Sequence, residues 1–240
     1  MLRILIMTFS LIAVVAVNVA ANIIPFNGKT TGEIANRLPV LFTPASYVFI
    51  IWAVIFMLLA VWIYVHSRRG ESTDLYLNNW RAALFVFSCL LNISWILLWH
   101  YTFFNWTIVV MFVLLLTLFA LYSTYPKQES RQFERLPISI YLGWIFVATI
   151  ANGNYVLTFH EWNGWGLSNP LWTVISLSVA TAIALHFLYH YKDRALNVVF
   201  MWAFIGIAVK NGVDELFVSS AALFLTAVIG VSLFVLKKPH

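Results

Sequence analysis

What this sequence lacks most is charge. Asp, Glu, Lys and Arg make up 10% of its 240 residues, against 62% that are hydrophobic. Soluble domains carry roughly 25% charged residues, so a compact soluble globule could not cover its surface with what is present, and most of the exterior has to face lipid. The mean hydropathy of +0.88 points the same way. No separate soluble domain is left over, because the longest polar stretches, His66 to Asn79 and Pro126 to Arg135, are loop-sized and can bury no core of their own. Cysteine occurs once, as Cys89, which excludes an intramolecular disulfide. Inside an apolar segment this thiol reads as core. The apolar segments also lack Asp and Glu, and the chain has no Gly-rich phosphate loop, no low-complexity tract and no visible internal repeat. The net charge of +5 does not indicate nucleic acid, since no basic run with interleaved aromatics stands outside the apolar segments.

What is present is a series of long apolar runs. A helix of about 20 residues, rising 1.5 Å per residue, crosses a hydrocarbon core about 30 Å thick. Seven runs meet that length: Ile4–Ile24, Ser46–Val65, Trp80–Tyr101, Trp106–Tyr125, Leu136–Thr158, Leu171–Tyr191 and Leu216–Leu236. An eighth, Ala195–Val209, reaches only about 22 Å and either recruits Lys210 as a snorkelling flank, thins the bilayer locally or fails to span. The pattern predicts an all-α, polytopic transmembrane helical bundle of about eight helices. If all eight span, 11 of the 14 Lys and Arg fall on one side and Lys29, Arg37 and Lys210 on the other, which puts both termini in the cytoplasm. Arg3 followed by an apolar stretch faintly imitates a secretory signal, but the stretch is longer than a signal's apolar core, and it is expected to stay as the first helix.

Polar and aromatic groups inside the spans carry the functional information, because each needs a partner or a cavity. Asn92 and Asn152 are amides deep in their helices; an interhelical hydrogen bond explains each as readily as a ligand does. Of 11 tryptophans, Trp62, Trp80, Trp99, Trp106, Trp162, Trp165 and Trp172 fall near predicted boundaries, where indoles gather at headgroup depth. Trp52, Trp95, Trp144 and Trp202 lie deeper. Helical spacing puts Asn92 with Trp95, and Trp144 with Ala148 and Asn152, on common faces. His186 and His190, four apart, could pair at a metal or a haem edge, though an interfacial polar cap explains them more simply.

Three motifs occur in order. Pro39 precedes Trp52 by thirteen positions, with Phe42, Thr43 and Pro44 between; Asn92-Ile93-Ser94-Trp95 is followed by Phe103-Phe104; and Tyr141-Leu142-Gly143-Trp144 leads to Ala148 and Asn152. This order resembles the TspO/translocator, or tryptophan-rich sensory protein, family over about residues 1–160. The resemblance implies a five-helix bundle in residues 1–160, with three further helices in 161–240. It implies a pocket lined by Trp52, Asn92, Trp95, Trp144, Ala148 and Asn152, with the loop Asn22–Phe42 as its lid and Pro39, Phe42 and Pro44 as lid residues. The implied ligand is a porphyrin, another haem-type tetrapyrrole or a sterol-like molecule, and a homodimer is implied too. Stacking faces and two amides suit a flat aromatic molecule.

The expected function is therefore that of an integral membrane binding protein, sensor or translocator, with membrane lipid and a hydrophobic small molecule as partners, no nucleic acid, no metal and no required cofactor. It is expected not to be an enzyme, and to reside in the plasma (inner) membrane. The alternatives are a secondary transporter of a small amphipathic solute, using the last three helices, and, more remotely, a porphyrin-degrading enzyme.

Overall fold

The computed structural model describes residues 2–24, 26–68, 75–125 and 132–236, and among these it is built from helices alone. In chain order the α-helices are α1 (Leu2–Ile23), the short α2 (Thr31–Ala35), α3 (Ile51–Arg68), α4 (Leu75–His100), α5 (Phe104–Ser123), α6 (Gln132–Phe159), α7 (Asn169–Tyr191), α8 (Arg194–Asn211) and α9 (Leu216–Val235). Eight of them are long and apolar enough to cross a membrane, counting the 3-10 turn Ser46–Ile50 with α3. The eight expected runs correspond to these eight helices one for one. The polar stretches taken for loops are shorter than the sequence suggests, because α4 already starts at Leu75 and α6 at Gln132. Arg69, Lys127, Arg131, Lys237 and Lys238, all counted in the charge bias, lie outside the described residues.

The short eighth run gains length from its ends. Asp193 caps α8, its carboxylate accepting from Leu196 N at 3.0 Å, and Asn211 closes it before Gly212, whose φ of 51° and ψ of −131° suit glycine. The resulting 18 residues extend about 27 Å, close to a full span. Lys192, in the left-handed region, ends α7 just before Asp193, so the α7–α8 connection is a tight turn.

The described chain divides into two compact units: residues 1–34 with 51–145, and residues 35–50 with 146–240. The division does not fall at residue 160. It cuts α6 between Ile145 and Phe146, and it assigns the Ala35–Ile50 segment to the C-terminal helices.

In the first unit α1 packs on α3 and α4, and α4 on α5. Two polar ties set the register of α1: Arg3 Nη1 donates to Asn79 Oδ1 at 3.0 Å, and Asn18 Nδ2 to Asn92 Oδ1 at 2.9 Å. The pairs run in the same order along both helices, so α1 and α4 are parallel, as odd-numbered spans must be. At the other end of α3, Trp62 donates to Tyr125 OH at 2.8 Å, and Arg81 reaches Thr124 through Nε (2.9 Å) and Nη2 (2.6 Å) while lying 4.0 Å over the Tyr125 ring. Trp62, near the end of its span, is buried and turned into the protein.

In the second unit α7 packs on α8 and α9, and α8 packs on α9 and on the Ser46–Ile50 turn. Threonine hydroxyls inside the spans donate within their own helices, Thr181 to Leu177 O and Thr226 to Ala222 O, as Thr117 does to Val113 O in the first unit, while Ser219 of α9 donates to Ala208 O of α8. That is what a solvent without hydrogen bonds demands. Large exposed apolar side chains such as Phe9 and Phe224 face outward, where lipid belongs.

Candidate ligand-binding site

The first unit gathers three of the expected site residues at one place. On α3 the half-buried Trp52 stacks on Phe56 and meets two rings of α6 edge-on, Tyr141 at 5.9 Å and Trp144 at 6.3 Å. From α4, Asn92 Nδ2 donates to Tyr141 OH at 3.4 Å, and its oxygen accepts from Asn18. A polar chain thus runs Asn18, Asn92, Tyr141 through the bundle and ends against the aromatic corner. Asn92, Tyr141 and Trp144 are buried, whereas Trp52 leaves part of its ring accessible. The amide at Asn92 is accordingly an interhelical tie, and it fixes the phenol against which Trp52 packs.

The other expected residues are placed differently. Trp95 stacks on Trp99, with centroids 5.2 Å apart and planes at 18°, and Trp99 meets Phe104 edge-on. Trp99, next to the last residue of α4, is buried against protein. Ala148 and Asn152 continue along α6 in the part belonging to the second unit, half-buried and buried respectively.

The expected lid loop is anchored in two places, each within one unit. Its first part lies on the C-terminal end of α4. Asn27 Nδ2 donates to His100 O, Phe26 meets the His100 ring edge-on at 5.5 Å, and Trp99 Nε1 donates to Thr31 O at 3.3 Å. His100 Nδ1 donates to Ile96 O at 2.8 Å, and Thr31 Oγ1 lies 3.4 Å from its Nε2. A capping box organises the turn: Glu33 accepts from Thr30 N at 2.7 Å and Thr30 Oγ1 at 2.9 Å, while Glu33 N donates back to Thr30 Oγ1. The Thr30 backbone bond, then its side-chain bond, hold the Glu33 carboxyl below its ordinary range, with Lys29 adding to this. Because folding lowers this pKa, the cap is fully formed above the ordinary glutamate range and is lost as pH falls through the lowered value. Protection of the Thr30 amide against exchange, taken relative to its intrinsic rate at each pH, is expected to fall in acid, and Glu33→Gln should remove that titration.

The second part of the loop, in the second unit, is strapped to α8. Asn211 Nδ2 donates to Leu41 O at 2.9 Å, Ala45 N to Gly206 O at 3.0 Å and Trp202 Nε1 to Val48 O at 3.1 Å. Phe42 and Pro44 are buried there. A side chain at Gly206 has no room, since its Cβ would come within 2.1 Å of Val48 Cγ2 and 3.2 Å of Pro44 Cβ. Trp202, unexplained by the sequence, thus has a role in holding the loop.

The second unit also contains a cleft of about 380 Å³ between the Pro39–Leu41 backbone, α6 and α7. Of the residues expected at a site, Pro39 is the one that lines it. Sequence reasoning passed over the others, including Asn154, Glu161, Trp162 and Trp172. Two signals were available: the helical ladder Ile150, Gly153, Asn154, Leu157, Glu161, and three tryptophans within eleven residues at 162–172.

His186 and His190 have ring centroids 4.5 Å apart on the exposed end of α7. Among the described residues no three His, Cys, Asp or Glu side chains gather as metal ligands.

Eight apolar helices, internally satisfied hydroxyls and an apolar exterior define a multi-pass integral membrane protein with aromatic and amide groups packed inside its bundle. The family model for TSPO-like proteins matches residues 4–235, and the chain belongs to that family. The match runs through α7, α8 and α9, well past the stretch of about 160 residues that carries the three motifs. The family match therefore includes the last three helices. No curated protein and no solved structure matches the chain significantly.

Proposed function

We propose that this membrane protein binds a hydrophobic, flat aromatic molecule such as a porphyrin or a sterol-like compound, and acts as a sensor or translocator for it without transforming it chemically. The observation that carries this reading is the corner formed by Trp52, Tyr141 and Trp144, with the phenol held in place by Asn92. Edge-to-face rings at 5.9 and 6.3 Å offer an apolar wall, the half-exposed Trp52 offers a way in, and the amide–phenol chain offers orientation. Titration of the detergent-solubilised protein with protoporphyrin, followed by tryptophan fluorescence, is expected to give saturable quenching. Quenching that rises linearly without saturation would reject this reading.

The same proposal places both termini in the cytoplasm, on the charge bias of 11 against 3. A reporter that is active only in the cytoplasm should work when fused after His240 and fail when inserted beside Lys29.

A further inference from the structure

We infer that the cleft in the second unit is a separate binding site for an organic ammonium group carried on a small apolar body. Its volume, about 380 Å³, is that of a small-molecule pocket. Among the residues lining it, Glu161 bears the formal charge. This exposed carboxylate sits just past α6 with a φ of 51°, and no side-chain partner is seen for it among the described residues, so the charge on the cleft's lining favours a cation.

The aromatic side of the cleft is built to meet such a cation. Trp162 and Trp172 line it with centroids 5.0 Å apart, and Trp165 completes the cluster at 5.4 and 5.8 Å from them. Trp172 is fixed by its Nε1–H, which donates to Gly164 O at 2.7 Å. Its indole donor is thus already used, and what remains for a ligand is the ring, whose π face attracts ammonium groups.

On the helical side three side chains spend their donors internally and keep acceptor capacity. Asn154 Nδ2 donates to Ile150 O at 2.9 Å and to Ser176 Oγ at 3.3 Å, leaving its Oδ1 as an acceptor. Thr158 donates to Asn154 O, and Thr173 to Asn169 O. Both hydroxyl oxygens keep acceptor capacity. The acceptors of Asn154, Thr158 and Thr173, the carboxylate of Glu161 and the indole faces together offer what an ammonium donor needs. Gly153 forms part of the helical side, and a Cβ there would meet nothing within 4 Å. The absent side chain is thus room left in the cleft, with no packing constraint behind it.

An ammonium group can arrive on a soluble amphipathic solute or on a choline-type lipid headgroup, and the test separates the two. The full chain in a neutral maltoside detergent is titrated calorimetrically with phenyltrimethylammonium and, in parallel, with its uncharged isostere tert-butylbenzene. Saturable binding of the cation is expected, at least tenfold tighter than the isostere. Glu161→Gln, an exposed and isosteric change, should weaken it at least tenfold. Gly153→Leu should abolish it by filling the cleft, while Gly153→Ala retains it and neither Gly153 variant lowers the melting temperature. Repeating the titration in phosphatidylcholine and in phosphatidylglycerol nanodiscs assigns the source. Competition by the choline lipid alone identifies a headgroup site and equal affinity in both a soluble ligand, and either upholds an ammonium site. Absence of saturable binding, equal binding of the isostere, or indifference to both Glu161→Gln and Gly153→Leu would overturn the inference.

Discussion

Replacing Gly206 with alanine is expected to destabilise the second unit and to loosen the loop that the sequence marks as a lid. One methyl group is added, and helix propensity alone would make the change favourable. The surroundings reverse the sign. The new Cβ would lie 2.1 Å from Val48 Cγ2, a distance real side chains do not tolerate, and 3.2 Å from Pro44 Cβ. Val48 and Pro44 cannot simply swing away, because the backbone between them is tied to α8 by the Ala45 N–H on Gly206 O and by Trp202 on Val48 O. The segment has to lift off the helix, at a cost of about 1–3 kcal/mol, typical of an overpacked site. The melting temperature in detergent should fall, and exchange of the Ala45 and Val48 amides should rise. Gly230→Ala on α9 is the control. Its Cβ would approach only Cε at the end of the unbranched Met201 side chain, at 3.3 Å, so the same chemical change should be neutral or slightly stabilising.

The second large effect is expected at Trp144. Its indole is buried against α3 and meets Trp52 edge-on. Truncation to alanine removes a large ring from a packed interior and should lower stability by about 3–5 kcal/mol, as for other buried Trp-to-Ala changes. Stability loss and loss of ligand are separable with Trp144→Phe, which keeps most of the apolar volume. On the proposed function the Phe variant folds with a small change in melting temperature, yet binds the aromatic ligand at least tenfold more weakly, or about 1.4 kcal/mol. Asn92→Leu serves as a second probe. It breaks the Asn18–Asn92–Tyr141 chain at a cost of about 0.6–2 kcal/mol, the range for interhelical hydrogen bonds in membranes, and frees the Tyr141 ring to move.

Most of the architecture was legible in the sequence because hydrocarbon imposes a single requirement, a helix long and apolar enough to cross, and hydropathy measures that directly. α8 was the doubtful span, and its extra residues come from caps. The Asp193 carboxylate and the Asn211–Gly212 stop are polar signals at a helix end, which a count of apolar residues leaves out. Tryptophan orientation was less legible. Trp62 and Trp99 sit near the ends of their spans yet are buried, because a partner, Tyr125 for one and Thr31 for the other, takes the indole N–H. Sequence position gives the height of a ring in the bilayer but not the direction it faces.

The site was legible in part. Trp52, Asn92 and Trp144 are linked through Tyr141, which lies within the quoted motif. The loop anchors were not visible, since Leu41, Ala45 and Val48 engage α8 mainly through backbone atoms, about which side-chain patterns are silent. The capping box at Thr30 and Glu33 was readable, being a Thr-x-x-Glu signature, but its four residues are inconspicuous beside the apolar runs. The cleft escaped notice because its tryptophans had a ready explanation at the membrane boundary.

The central claim, that the aromatic corner of the first unit holds a flat hydrophobic molecule, is tested most directly by purifying the chain from its native membrane and identifying by mass spectrometry what it carries. The account predicts a conjugated or polycyclic compound at near-stoichiometric amount, present with the native chain and depleted from Trp144→Phe. Recovery of ordinary phospholipid alone, in equal amount from both proteins, would contradict it.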